Sequence, residues 1–195
     1  MAMLRLTRPS EEELLGFLAA QRTSHFSYNS VGATADLNAP SGFLADRYQV
    51  RLGNGQAVWE RAVKALDDWE MFNLGWFSAR ASEARLQPGT NVVVSGTHFG
   101  FYSMNACRVV YLIRENGSEK KHGFAYGTLL DHAESGEERF CVTWNPRDES
   151  VWYEIFAFSR PSQLLPKLAY PLTRMLQRRF ARDSKAAMLR AANRH

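Results

Sequence analysis

The stretch HGFAYGTLLDHAESGEERFCVTWNPRDESVWYEIFAFSRP, residues 122–161, decides the fold. It holds three β-prone runs, His122–Leu130, Glu138–Trp144 and Val151–Phe158, separated by short polar turns. Parallel neighbours would need helical crossovers, and these connections are too short for them, so the runs form an antiparallel meander. Alternation assigns the faces. Phe140, Val142 and Trp144 share one side of their strand, with Arg139, Cys141 and Thr143 on the other. In the last run Val151, Tyr153, Ile155 and Ala157 oppose Trp152, Glu154, Phe156 and Phe158. Both faces are largely apolar, so both must be covered.

Downstream of Pro161 the pattern turns helical. A residue before proline avoids helical angles, so a break is expected near Tyr170, with Pro166 punctuating the segment before it. Pro171 suits the first turn of a long helix whose stripe is Leu172, Leu176, Phe180, Ala187 and Ala191. Upstream, Asn91–Ser95 and Ala106–Arg114 extend the strand series, the second ending at the Asn116-Gly117 turn signal. Leu74–Ala79 and Tyr48–Leu52 are further strands, and Gly53-Asn54-Gly55 breaks the latter. A helix is predicted over Gln56–Trp69, with Trp59, Ala62, Val63, Leu66 and Trp69 on one stripe. A first helix starts at Ser10, with Glu13 in the capping-box position, and ends near Gln21. Residues 23–40 read as an unusually long loop, a feature that often carries function.

Together these elements predict an α+β fold: a curved antiparallel sheet wrapped around a long C-terminal helix, with an N-terminal helix-and-loop extension. The chain is expected to form one domain, residues 1–45 packing as an extension on a core of residues 46–195. The C-terminal helix covers one sheet face. The N-terminal forty residues, or the second subunit of a homodimer, cover part of the other.

Composition bounds the function classes. Of 195 residues, 45% are apolar and 12% aromatic, which excludes a disordered chain. No apolar run is long enough to span a membrane, and the N-terminus does not read as a secretory signal. Cys107 and Cys141 are read as small buried residues rather than a disulfide framework, which suits a cytoplasmic protein. The net charge of +4 is concentrated at the end of the chain, where Lys167, Arg174, Arg178, Arg179, Arg182, Lys185, Arg190 and Arg194 surround one acid, Asp183. That face is either a solvated helix surface or a site for an anionic partner. Aromatic residues do not interleave with those charges, which argues against nucleic acid.

Catalytic signatures are sparse. His98, Cys107, His122, Cys141 and Glu154 show no metal-ligand spacing, and no metal or other cofactor is expected. Ser103 and Ser159 lack a nucleophile-elbow context, and Gly53-Asn54-Gly55 opens neither a dinucleotide fingerprint nor a P-loop. The richest segment is Phe124–Phe140. His132 and Glu138 are its candidate acid–base pair, set against a purely structural polar hairpin. Arg108 in an apolar strand and Arg160 at the strand–helix junction each need a partner: either a carboxylate such as Glu154 or Glu138, or an anionic or carbonyl group of a ligand. Tyr28, Asn105, Tyr126 and Thr128 complete the candidate ligand-binding set.

Several motifs carry a family resemblance. Gly123-Phe-Ala-Tyr-Gly-Thr-Leu129, His132, Gly136-Glu-Glu-Arg-Phe140 and Phe158-Ser-Arg-Pro161 resemble the hallmarks of uncharacterised protein family 0548, found in bacteria and plants. Tyr28-Asn-Ser-Val-Gly-Ala-Thr34, Leu52-Gly-Asn-Gly55 and Cys107-Arg-Val-Val-Tyr111 are similar to it as well. The resemblance spans nearly the whole chain and implies no activity. The order of elements also resembles START-like helix-grip domains, which include polyketide cyclases and lipid carriers. That resemblance implies an apolar or amphipathic small molecule held between sheet and helix. The alternatives are a cyclase- or hydrolase-like enzyme in the same pocket, or an interaction module using the basic helix.

Overall fold

The computed structural model describes residues 3–161 and 170–194. The expected break around Pro166 lies outside the described residues. The meander is present and longer than its hydrophobic runs. Strands β1 (Met3–Arg5), β2 (Leu44–Asn54), β3 (Phe77–Ala81), β4 (Asn91–His98), β5 (Phe101–Asn116), β6 (Lys120–Thr128), β7 (Glu134–Trp144) and β8 (Ser150–Pro161) form one antiparallel sheet. Its order is β2-β8-β7-β6-β5-β4-β3, and β1 pairs with β5 off that path. Helices α1 (Glu11–Ala20), α2 (Gln56–Asp67) and α3 (Tyr170–Ala192) complete it.

Three local features explain where the strands start and stop. Strand β2 continues past Leu52 because a bulge takes up Leu52 as the extra residue, and pairing with β8 resumes at Gly53. A second register shift, between Val109 and Tyr111 in β5, flips the face on which later residues point. Strands β4 and β5 join at Phe99-Gly100, both with positive φ (51° and 82°), the geometry that suits a two-residue hairpin turn.

One sheet face wraps the helices. Helix α2 and the C-terminal half of α3 bury Val58, Ala62, Leu66, Met188 and Ala192 against Val142, Val151 and Tyr153. The Tyr153 hydroxyl lies 2.9 Å from Ser184 Oγ, and Arg61 Nε donates to the Ala192 carbonyl at 2.7 Å, fixing α3 across the sheet. At 23 residues α3 is roughly 34 Å long, so its N-terminal half runs on beyond α2. Pro171 sits in its first turn, as the sequence predicts.

The N-terminal residues cover the opposite face. The Ser10–Glu13 capping box forms, with Glu13 N–H donating to Ser10 Oγ at 3.2 Å and Ser10 N–H to Glu13 Oε2 at 2.8 Å. Leu18 of α1 packs on Val93 and Met104. Farther along, the loop after α1 lays Tyr28 over Gly127. A Cβ at Gly127 would lie 2.0 Å from the Tyr28 hydroxyl, so only glycine fits beneath that ring. Among the described residues, no helix is long and apolar enough to cross a membrane.

Candidate functional site

Between the N-terminal half of α3 and the sheet lies a cavity of about 490 Å³. It arises because α2 fills one end of the concave face while nothing of α2 reaches the other. Its walls are largely apolar, with Phe77, Val94, Ile155, Leu176 and Phe180 among them. Polar groups gather on strands β5 to β8, where alternation aims Asn105, Tyr126, Glu134, Glu138 and Ser159 inward.

Glu138 and Tyr126 are register partners, and the Tyr126 hydroxyl donates to Glu138 Oε2 at 2.8 Å. Burial holds the Glu138 carboxyl up at about 7, helped by neighbouring Glu134 and Asp46 and opposed by the Tyr126 hydrogen bond. Glu134 is likewise raised to about 7 by burial, against the pull of Gln177 and Arg174. Both carboxyls open onto the cavity rather than onto bulk water. Gln177 Nε2 donates to Glu134 and, at 3.1 Å, to Ser159 Oγ, so α3 reads the polar end directly. Arg174 clamps Asp46 through two guanidinium nitrogens, tying α3 to β2 at the rim.

His132 lines the same cavity. Its Nδ1 lies 2.9 Å from the Glu134 backbone nitrogen and 3.1 Å from the Glu134 carbonyl oxygen, so the backbone of Glu134 fixes the ring. Burial drops its pKa to about 4, so it stays neutral at physiological pH. Asn105 Oδ1 accepts the Ala133 N–H at 3.1 Å. Its amide nitrogen has no protein partner among the described residues and remains available as a donor. Thr128 also borders the cavity, but its hydroxyl is engaged in the hairpin, accepting Gly136 N–H at 2.9 Å and lying 2.6 Å from Ser27 Oγ.

Three expected ligand contacts do not reach the cavity. Tyr28 lies on the opposite face, where its hydroxyl donates to Glu137 Oε2 at 2.7 Å. Arg108 also points there, donating to the carbonyls of Gln21 and Ser24 at 2.8 Å each and to Asn91 Oδ1 at 2.8 Å. It therefore satisfies the open carbonyls that follow α1. Arg160 is exposed, with its guanidinium over the Phe43 ring at 4.5 Å. Neither arginine pairs with Glu154. That carboxylate takes Arg139 Nη1 at 2.6 Å and Arg47 Nε at 2.7 Å instead. The sequence reading missed Glu134, Ser159 and Gln177. Glu134 was open to detection, because it falls four residues before Glu138 on the same strand face. Gln177 carries no such signal.

The raised carboxyls give a pH test. A group whose folded pKa exceeds its unfolded value stabilises the fold below the unfolded pKa, and that contribution is lost as pH rises through the folded pKa. For Glu138 the window runs from the ordinary 4.5 to about 7. Glu138→Gln should therefore match the wild type at about pH 4.5 and exceed it by about 1–3 kcal/mol at about pH 8. Urea denaturation at the two pH values measures this difference, and equal stabilities at both would contradict the buried placement.

Comparison with known proteins fits this architecture. The Zhui aromatase/cyclase from Streptomyces sp. R1128 superimposes with a TM-score of 0.53 at 16% identity, over 78% of this chain and 94% of that one. At that identity the likeness is one of fold, and the fold is the START-like helix-grip. A UPF0548 protein of Deinococcus radiodurans is 35% identical over 203 residues, spanning 97% of this chain and 99% of the relative. Another, from Dictyostelium discoideum, is 33% identical over 207 residues, spanning 97% and 95%. The family described as a domain of unknown function, DUF1990, matches residues 27–187, and the chain belongs to that family.

Proposed function

We propose that the protein binds an apolar or amphipathic small molecule in the cavity between the sheet and α3. The observation that carries this reading is the cavity itself: about 490 Å³ of largely apolar space with polar groups at one end. That size and lining are typical of small-molecule sites. The apolar part of the ligand would lie along Leu176, Phe180 and Ile155. A hydrogen-bonding end would meet Asn105, a free donor, and Glu138, which is half protonated near neutrality. The free, buried thiols of Cys107 and Cys141 suit a cytoplasmic setting. Native mass spectrometry of protein purified from its own host should show a bound small molecule that is lost on denaturation. Protein that is repeatedly empty would overturn the proposal.

A second reading, an enzyme using the same pocket, draws on one observation. A carboxyl held at about 7 lines the same cavity as a neutral His132, a combination suited to proton transfer. The Zhui protein is described as an aromatase/cyclase, but a shared fold does not transfer its chemistry. Glu138→Gln separates the readings: it would abolish turnover of a bound molecule in an enzyme, and leave binding largely intact in a carrier.

A further inference from the structure

The β4–β5 hairpin tip is built against ordinary folding preference. Phe99 holds a φ of 51° and is 70% exposed. A bulky residue in that region is strained, and Asn would fit with less cost. Phe101, on the far side of the turn, is 49% exposed. Neither ring completes the core, so the fold does not account for them.

Phe99 also sits at a junction. It lines the cavity, and it lines an open groove with Met175, Arg178, Arg179 and Arg182 of α3. Leu172 and Met175 on the first turns of α3 are 40% and 49% exposed. The cavity mouth is thus rimmed by exposed apolar side chains and flanked by arginines. Asp183 is their near carboxylate, 2.9 Å from Arg182 Nε and 3.6 Å from Arg179 Nε, so the patch keeps a positive excess.

We propose that this rim docks on an anionic lipid bilayer, with the Phe99–Phe101 tip entering the headgroup region and Arg178, Arg179 and Arg182 over the lipid phosphates. Charge selects the occupant. A second copy docking through the same patch would set arginines against arginines. A bilayer surface meets both halves of the patch at once, apolar side chains at the acyl boundary and cations at the phosphates. Nucleic acid would engage the arginines but leave Leu172 and Met175 without a partner. If the cavity carries an apolar ligand, as proposed above, docking lets that ligand pass between cavity and lipid without crossing water.

Flotation with vesicles tests the proposal. The full chain is mixed with phosphatidylcholine vesicles, with or without about 30% phosphatidylserine. The expected result is binding to the anionic vesicles that falls at high salt and falls at least tenfold in the Arg178→Glu, Arg182→Glu double variant. Phe99→Asn provides the decisive contrast, because Asn relieves the strained turn. It should melt at or above the wild-type temperature and yet lose most vesicle binding. The proposal is overturned if the wild type ignores anionic vesicles at low salt, if Phe99→Asn binds like the wild type, or if the arginines bind an oligonucleotide while vesicles stay unbound. Vesicle binding needs no cargo, so an empty protein that still floats would remove the ligand reading and leave docking standing.

Discussion

Glu137→Ala is expected to lower the melting temperature by roughly 10 °C, far more than any change at its neighbour Glu138. Glu137 is 2% exposed, and its carboxylate is turned to the N-terminal loop. Its carboxylate accepts the Tyr28 hydroxyl and the Gly32 N–H, each at 2.7 Å, the Thr34 N–H at 3.0 Å, and the Thr34 hydroxyl. One side chain therefore anchors residues 28–34 to the sheet. Truncation strands up to four buried donors, a loss of about 3–5 kcal/mol after partial relaxation. Calorimetry measures the shift. Hydrogen exchange adds the local signature, with faster exchange at Gly32 and Thr34 than in strand β7. A shift of only a degree or two would show that the loop is held by something other than this carboxylate.

Ala157→Trp is expected to abolish cavity binding while leaving the fold intact. Ala157 is the register partner of Glu138 and lines the cavity. An indole there projects into empty space rather than into packed side chains, so the overpacking cost should stay below about 2 kcal/mol. The volume needed by a ligand is removed. Titration with an environment-sensitive apolar fluorophore should show at least a tenfold weaker Kd, about 1.4 kcal/mol or more. Leu176→Trp, from the α3 wall, should act in the same direction. If both variants bind the fluorophore like the wild type, the probe and any natural ligand occupy another surface.

Adjacent residues on one strand thus have opposite roles, and this marks what the sequence made legible. Alternation along β7 and β8 was readable because both strands run without interruption: it grouped Phe140 with Val142 and Tyr153 with Ile155 on shared faces, which the fold turns toward the helices. The cavity-facing positions of Tyr126 and Glu138 follow from the same periodicity. Tyr28 lay beyond such reasoning, because a loop residue has no period and its face is set by the notch at Gly127. In β5 the bulge at Val109–Tyr111 breaks the parity that would otherwise relate Arg108 to the later residues of the strand. The β4–β5 hairpin was hidden because phenylalanine occupies a turn position where Asn or Gly is the usual signal. Arg160 drew attention because it sits at the strand–helix junction, but Ser159 is the residue that faces inward there, and one residue along a strand reverses the face.

The most direct measurement is a crystal structure of the protein purified from its own host without added ligand. The account predicts continuous non-protein density between α3 and the sheet, its apolar part against Leu176 and Phe180 and its polar end within hydrogen-bond reach of Asn105 or Glu138. Ordered water alone in that space, or a cavity closed by side chains packed to core density, would contradict it.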